Sequence, residues 1–536
     1  MHRFYSRPSS SKCAVIRSTL MPFLKAHTEP LPNFTLKPED LDRRVNVLNK
    51  WWTGLLEMLN GRNGESLSGS DRPYVLDAVT AIMIRPEWSV SPSTSTLRSA
   101  RPSLKSRSTT SLGSTLSDFL AESVVHNIRN TYVQNLLAQM AFVVDKMSIR
   151  SVPASVVAFC GKAIAYAFFY CDGVAEILVR LWSVSPNALK HVHTAHGSRN
   201  GGDLRQIAGK ISGRFPACLR NLAFSSVRSM LRHLSSRPQV SIATSYIPWN
   251  GPWTGRWAGR DTDLFFSFTK YYYDLLNQHL PDNVSREEQI CAPGYVLVQA
   301  QLLTLLKGTI QRITSQPTID PLKGPSFDDP MAEPDVSAAV LPISPVSMNR
   351  SMAENRLIML LRDCLSGNAA ITPKAQELFA ESFQSLLKAT ASQTSRFDHL
   401  ACFTLCDFLE EAIVIFVRYY QSVDTTVSNL DWAFWINVFK LMMESNNSMT
   451  EIRLCAFLYS LWGTITSDPS RRREVCLGWL LSEETFVRQF NHWCPMVRAF
   501  YMRLLVWRVG RFDAVASEDD RSVIHLSIVR IVADNP

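Results

Sequence analysis

The sequence predicts an all-α fold: an irregular helical repeat of the HEAT or armadillo type, or a multi-helix array, with disordered serine-rich and proline-rich insertions. Apolar residues recur every three or four positions through most of the 536 residues, which is the period of a helix. Short connections in the final third favour antiparallel neighbours. Arg453 and Trp462 recur 45 positions later as Arg498 and Trp507, within the spacing of about 40–47 residues of HEAT and armadillo repeats.

Composition and charge limit the class of protein. The chain is 46% hydrophobic and 10% aromatic, which is enough for a core. Its eleven cysteines follow no metal-ligand spacing, so we expect reduced, buried thiols and a cytoplasmic protein. Residues 1–314 contain 36 basic and 21 acidic residues, whereas residues 315–536 contain 20 and 26. This asymmetry indicates either an anionic partner for the N-terminal part or two differently solvated surfaces.

The N-terminal third contains two segments that we expect to be disordered. Residues 1–36 read as a disordered basic arm, and two helices follow within residues 37–90, at Leu41–Asn60 and Arg72–Ile84. Residues 91–117 form a basic loop in which 15 of 27 residues are serine or threonine. Ser103 and Ser108 follow basic residues, where basophilic kinases act, so they are candidate phosphorylation sites; an inert linker is the alternative.

The stretch Ser151–Trp182 decides between a membrane protein and a packed helical protein. It is the most apolar part of residues 118–314, yet Asp172, Glu176 and Arg180 recur every four residues and would form one polar seam. A membrane span needs about 20 residues almost free of charge. We therefore predict one helix buried among other helices.

A basic segment follows. His191, His193 and His196 lie in a predicted glycine-rich loop without the rigid frame of a metal site, so no metal is expected. Pro216–Leu234 reads as a basic amphipathic helix, which is either a core helix with a basic outer face or an anion-binding surface. The candidate partner- or anion-binding residues of this segment are Arg205, Lys210, Arg214, Arg220, Arg228 and Arg232.

Residues 246–263 form a tryptophan-rich loop, YIPWNGPWTGRWAGRDTD. Trp249, Trp253 and Trp257 recur every four residues, but the intervening glycines and proline exclude a regular helix. Three indoles in such a loop predict an ordered structural element packed over helices. Asp261 and Asp263 resemble a cation-binding DxD, although capping of the following helix is the simpler interpretation.

Residues 315–350 carry seven prolines and five acids, which predicts a linker and a domain boundary. Residues 351–536 then read as successive helices. Their start signals include Thr372-Pro373 and Asp468-Pro469, and the capping-box pattern at Ser428-x-x-Asp431 and Ser448-x-x-Glu451.

Four blocks resemble one known family. They are AFFYCDGVAEILVRLW, IPWNGPWTGRWAGRDTDLFFSF, TEIRLCAFLYSLWG and HWCPMVRAFYMRLLVWRVG. The sequence is similar over residues 154–510 to an uncharacterised fungal family, number 1765 among the domains of unknown function. The resemblance implies a helical protein without an established activity, so no catalytic residue carries over. Some members of the family are labelled membrane proteins.

We find no phosphate-binding loop, dinucleotide fingerprint, zinc-protease motif or nucleophile elbow. The leading hypothesis is a non-enzymatic scaffold that binds protein partners, with no cofactor, small-molecule substrate or nucleic acid expected. The alternative is a peripheral adaptor that docks on anionic lipid through the basic residues. A third hypothesis is an enzyme centred on the tryptophan loop, with Arg256, Arg260, Asp261 and Asp263.

Overall fold

The fold is all-α, as predicted. In the computed structural model, the described residues contain helices and turns and no strand. They are residues 8–27, 37–61, 67–89, 112–196, 204–238, 241–259, 262–282, 284–311, 352–367, 371–423, 430–511 and 518–533.

Twenty-four α-helices are described, twelve on each side of residue 280. Up to that residue they are α1 Ser9–Val15, α2 Met21–Ala26, α3 Pro38–Asn60, α4 Arg72–Met83, α5 Leu112–Met147, α6 Ala154–Tyr170, α7 Val174–Leu181, α8 Pro186–Ala195, α9 Leu204–Ser212, α10 Val227–Ser235, α11 Thr254–Trp257 and α12 Asp263–His279. Beyond it they are α13 Arg286–Gln289, α14 Tyr295–Gln311, α15 Arg356–Leu365, α16 Pro373–Gln393, α17 His399–Ser422, α18 Trp432–Met443, α19 Ser448–Ser460, α20 Trp462–Ile465, α21 Pro469–Arg473, α22 Glu483–Phe490, α23 Pro495–Leu504 and α24 Glu518–Ala533.

The chain divides into two compact units. The first comprises Met1–Ser183, Ala208–Phe224 and Arg228–His279, and the second comprises Val184–Ile207, Ser225–Val227 and Leu280–Pro536. The proline-rich segment 315–350, predicted as a domain boundary, falls within the sequence span of the second unit and outside the described residues.

The N-terminal arm corrects one prediction. Residues 9–26 are helical rather than disordered, with a π-helical turn at Ile16–Leu20 between α1 and α2. Ile16, Leu20 and Leu24 are spaced four apart and are buried, and this part of the chain packs on α4. Pro22 does not break the helix because it occupies the first turn of α2, where a proline is tolerated.

The apolar stretch Ser151–Trp182 is buried as predicted, but it forms two helices rather than one. Cys171 is extended and Gly173 has φ 81°, a left-handed conformation that glycine adopts without a side-chain clash. The chain therefore turns between α6 and α7. No helix in the described part of the chain combines the length and the apolar character needed to cross a membrane.

Two interactions fix this stretch in the first unit. Gly161 lies so close to α12 that a Cβ atom there would be 2.4 Å from the Cβ of Ser267, so only glycine allows this approach of the two helices. The buried Glu176 accepts hydrogen bonds from Arg180, at 2.5 Å, and from the imidazole of His233, at 2.8 Å. The predicted seam pair Glu176–Arg180 is thus a buried ion pair.

The predicted start signals of the second unit are confirmed only in part: Asp468 caps its helix as predicted, whereas Asp431 is itself the cap rather than the third residue of a capping box begun by Ser428, which lies outside the described residues. The side chain of Asp431 accepts a hydrogen bond from an amide in the first turn of α18, and that of Asp468 does the same in α21. Thr372 precedes Pro373 at the start of α16 but makes no side-chain cap. The cap of α19 is Asn447 rather than Ser448.

Three helices of the second unit lie side by side in sequence order. Arg453 of α19 reaches Asp407 of α17 at 2.6 Å and Glu410 at 2.5 Å. On its other side, α19 packs on α23. We call α17, α19 and α23 the helix ladder.

Helices α19 and α23 run in the same direction. Glu451, near the start of α19, contacts His492 just before α23, with 3.4 Å between the carboxylate and the imidazole. Tyr459, near the end of α19, lies under the guanidinium of Arg503, near the end of α23, at 5.4 Å. The N-terminal ends of α19 and α23 therefore lie beside each other, and so do their C-terminal ends, as expected of parallel helices.

Candidate binding surfaces

The predicted basic residues are all exposed. They lie on α9, on the turn after it, on a 3-10 turn at Ala217–Leu222 and on α10, because the predicted single helix Pro216–Leu234 is interrupted between Leu222 and Val227. Within the described part of the chain, none of them forms an ion pair. These residues are Arg205, Lys210, Arg214, Arg220, Arg228 and Arg232.

Arg205 belongs to the second compact unit, and the other five basic residues belong to the first. The structure therefore assigns Lys210, Arg214, Arg220, Arg228 and Arg232 to one unit. Their cationic heads are free to meet an anionic surface.

The tryptophan-rich loop packs on the first unit. Trp253 and Trp257 are fully buried, and Trp249 is partly buried. The indole N–H of Trp257 donates to the carbonyl of Leu178 at 3.0 Å, and its ring stacks on Trp182 with 5.3 Å between centroids. The three indoles therefore contribute to packing.

Of the charged residues of the third hypothesis, the structure describes Arg256 and Asp263, which pair with each other. Arg256 donates to both carboxylate oxygens of Asp263, and the amide of Leu264 is 2.8 Å from one of them. Arg260 and Asp261 lie outside the described residues. Asp263 thus binds an arginine at the start of α12, where a carboxylate also stabilises the helix.

The histidine segment is a helix and not the predicted loop. Residues 186–195 form α8, which Ser185 caps by accepting from the amide of Ala188. His196 is 2% exposed and is bound to the carbonyl of Val192 at 2.9 Å and to the hydroxyl of Tyr295 at 3.1 Å. Burial lowers the pKa of His196 to about 4, so its imidazole is neutral at physiological pH. The described residues contain no cluster of ligands suited to a metal.

A groove of about 690 Å³ lies in the first unit. Helices α3 and α5 form its walls, and Tyr246, which is 58% exposed, stands at its edge. Its lining mixes polar and apolar side chains, with two carboxylates and three amides among the polar ones. The lining residues are Thr53, Leu56, Glu57, Asn60, Gln134, Asn135, Ala138, Ala141, Phe142, Asp145 and Tyr246.

An exposed apolar surface lies in the second unit, and the sequence interpretation missed it. Trp493 is 78% exposed and Trp507 is 61% exposed, while Met496 and Val506 are about half exposed. All four lie on α23 or next to it. We call them, together with Arg503 and Arg511, the tryptophan face.

The predicted phosphorylation sites Ser103 and Ser108 lie outside the described residues. Helix α5 begins at Leu112, so the last six residues of the predicted serine-rich loop are helical.

Comparison with known proteins gives a family match over part of the chain but no activity. Residues 383–509 match the family model described as a protein of unknown function (DUF1765), and this range contains almost all of the tryptophan face and the helix ladder. A relative from Schizosaccharomyces pombe, named a UPF0592 membrane protein, is 23% identical over 540 aligned positions. The alignment covers 99% of this chain and 54% of the relative, so the chain spans about half of the relative's length. No solved structure matches the chain.

Two of the four blocks that carried the resemblance lie in or at the edge of the matched range, and the other two fall within the alignment to the relative. The resemblance drawn from the sequence is therefore confirmed: residues 383–509 match the DUF1765 family model, and nearly the whole chain aligns with a distant relative.

Proposed function

We propose that the protein is a non-enzymatic helical scaffold that binds protein partners through the groove of its first unit. The observation that carries this proposal is the groove itself, which is open, about 690 Å³ in volume, and built on two long helices. Rigid elements of this kind hold a binding surface in place without a catalytic centre.

The chemistry of the groove favours an extended polar segment with basic side chains. Glu57 is exposed, and the side chain of Asp145 is largely exposed and pairs with the adjacent Lys146, at 2.9 Å. Asn60 and Gln134 offer amides that can both donate to and accept from a peptide backbone. Tyr246 supplies an amphipathic ring at the edge, a residue type common at interfaces.

The helix ladder supports the finer proposal of a HEAT- or armadillo-like arrangement in the second unit. Helices α17, α19 and α23 pack in sequence order, and α19 and α23 are parallel. Between them, the chain returns through α18 and through a segment containing α21 and α22. Parallel helices separated by a returning helix are expected of stacked helical pairs.

The test compares partners captured by the wild-type chain and by Ala138→Arg. Ala138 is exposed in the groove, so an arginine there would fill the groove and place a positive charge beside its carboxylates without disturbing the core. Asn127→Arg is the matched control, because Asn127 is exposed on the same helix and does not line the groove. We expect Ala138→Arg to lose partners that Asn127→Arg retains, as measured by quantitative mass spectrometry.

The basic residues favour a second candidate function, a peripheral adaptor on anionic lipid. The relative is named a membrane protein, and no described helix of this chain could span a bilayer, which directs attention to surface association. Lys210, Arg214 and Arg220 are exposed without ion-pair partners among the described residues. Reversing their charges should abolish flotation with anionic liposomes, and unchanged flotation would refute this candidate.

Phosphorylation of Ser103 and Ser108 stays a prediction. Each phosphate would replace positive charge in the segment before α5 with negative charge, and could dock or release that segment. Phosphopeptide mapping of the protein from its native cells tests whether either residue is modified.

A further inference from the structure

We propose that the tryptophan face of the second unit docks on an anionic lipid bilayer, with Trp493 and Trp507 entering the interface between headgroups and acyl chains. This site is distinct from the groove and from the six basic residues, and it does not depend on the scaffold proposal.

The first argument is the exposure of large apolar side chains. Trp493 is 78% exposed and Trp507 is 61% exposed, and Met496 and Val506 are about half exposed. Folded chains bury most of their tryptophan surface, so two such residues on one short segment need an explanation. Within the described residues, neither indole N–H has a hydrogen-bond partner, so each remains able to donate to a lipid headgroup.

The second argument is that three residues of the face are aligned along one helical segment. Met496, Arg503 and Trp507 are spaced seven and four residues apart, which places them along one face of the helical segment 495–509. The opposite face of this segment packs into the core through Val497, Tyr501 and other buried residues. Helices α19 and α22 pack on α23, and α24 contacts the π-helical turn Leu505–Val509 that follows it, yet Trp493, Met496 and Trp507 stay exposed beside them.

The third argument is charge. Residues 485–511 contain five arginines and no acidic residue. Arg503 and Arg511 are exposed, and Arg508 stacks on Tyr459 at 4.1 Å. The nearest acids on the preceding helix, Glu483 and Glu484, occupy the start of α22, whereas Trp493 follows its end.

Tryptophan and methionine beside arginine on one face are typical of segments that bind the interfacial region of an anionic bilayer. A protein interface also uses tryptophan and arginine, but it rarely presents only one sign of charge over such a length. The five arginines of residues 485–511 favour lipid, whose anionic surface is negatively charged.

The experiment measures co-sedimentation of the full chain with vesicles of phosphatidylcholine alone, or with about one third phosphatidylserine. Two variants remove the apolar and the basic parts of the face, Trp493→Ala/Trp507→Ala and Arg503→Ala/Arg511→Ala. Phe397→Ala is the matched control, because Phe397 is another exposed aromatic of the same unit and lies beside an arginine.

We expect binding to anionic vesicles to be at least tenfold stronger than to neutral ones and to weaken with salt. Each arginine near an anionic surface contributes about fivefold in affinity, so Arg503→Ala/Arg511→Ala should weaken binding roughly 25-fold. Trp493→Ala/Trp507→Ala should lower the affinity for anionic vesicles tenfold or more, and Phe397→Ala should bind them as the wild type does.

A second measurement locates the contact. Brominated lipids should quench the fluorescence of the wild type, and Trp493→Phe/Trp507→Phe should lose that quenching while remaining folded. Absence of wild-type binding to anionic vesicles, equal binding by the tryptophan variant, or unchanged quenching would overturn the proposal. Absence of binding would leave the face to a protein partner, and it would not affect the groove test with Ala138→Arg.

Discussion

Arg453 joins two helices of the ladder, and its removal tests how that ladder is held together. Its guanidinium is bound to Asp407 at 2.6 Å and to Glu410 at 2.5 Å, and it lies over the ring of Phe403 at 5.5 Å. The Asp407 side chain is only 3% exposed. Arg453→Met keeps much of the volume but leaves a buried carboxylate without its cation.

The expected cost follows from that burial. Removing one partner of a buried ion pair costs about 3–5 kcal/mol, because the remaining charge has lost both water and its counterion. At about 1.4 kcal/mol per tenfold change, this lowers the protection of α17 and α19 amides against hydrogen exchange by roughly 10²–10⁴-fold. Hydrogen exchange followed by mass spectrometry measures the two helices directly, so the rest of this two-unit chain does not obscure the result.

The control is Lys440→Ala, which removes a more exposed pair with Glu474 and should change protection by less than about tenfold. Arg453→Met combined with Asp407→Leu should recover part of the loss, since it removes the unpaired charge as well. Protection in Arg453→Met equal to that of the wild type would refute the argument that this arginine neutralises a buried charge.

The pH dependence has a definite sign. Burial raises the pKa of Asp407, and Arg453 opposes that rise. Without Arg453 the pKa should rise further, so the folded variant favours the protonated carboxyl. The stability that Arg453→Met loses relative to the wild type should therefore be smaller at low pH and larger at high pH.

Two further predictions concern single residues. Gly161→Ala should destabilise the first unit by about 1–3 kcal/mol, since its Cβ would overlap Ser267; Gly209→Ala, in a helix with open space around the glycine, should be neutral or stabilising in the same thermal melt. His196 stays neutral in the folded protein because burial lowers its pKa to about 4. Its contribution to the free energy of unfolding is therefore present above pH 6.5 and is lost as pH falls towards 4. His196→Gln should remove about 2 kcal/mol of the loss in stability between pH 7 and pH 5, as measured by urea titrations at the two pH values, and an unchanged pH dependence would contradict the assignment.

The predictions from sequence succeeded where the information was local. The spacing of apolar residues gave α18 at Trp432–Met443, with the bounds of the structure, although the capping box predicted from Ser428 had assigned Asp431 a different role from the cap that it is. The dipeptide Asp172-Gly173 was a turn signal inside an apolar pattern. Because the prediction did not use this signal, it assigned one helix where the structure has α6 and α7. The arm was assigned to disorder from its serines and prolines, although Ile16, Leu20 and Leu24 already formed a helical stripe.

The candidate surfaces were harder to predict because they are assembled from distant segments. The groove combines residues 53–60, residues 134–145 and Tyr246, and no local pattern links these three parts of the chain. The same holds for the pairing of Arg453 with Asp407, which are 46 positions apart. The exposed tryptophans were visible as residues, but an apolar residue on a helix is usually buried, so their exposure needed the packing of α23.

The central functional claim is that the groove of the first unit holds a partner. Quantitative capture from native cells with the wild type, Ala138→Arg and Asn127→Arg tests it most directly. The account predicts that a defined set of proteins is lost with Ala138→Arg and kept with Asn127→Arg, while both variants melt as the wild type does. Identical sets of captured proteins from all three chains would contradict it.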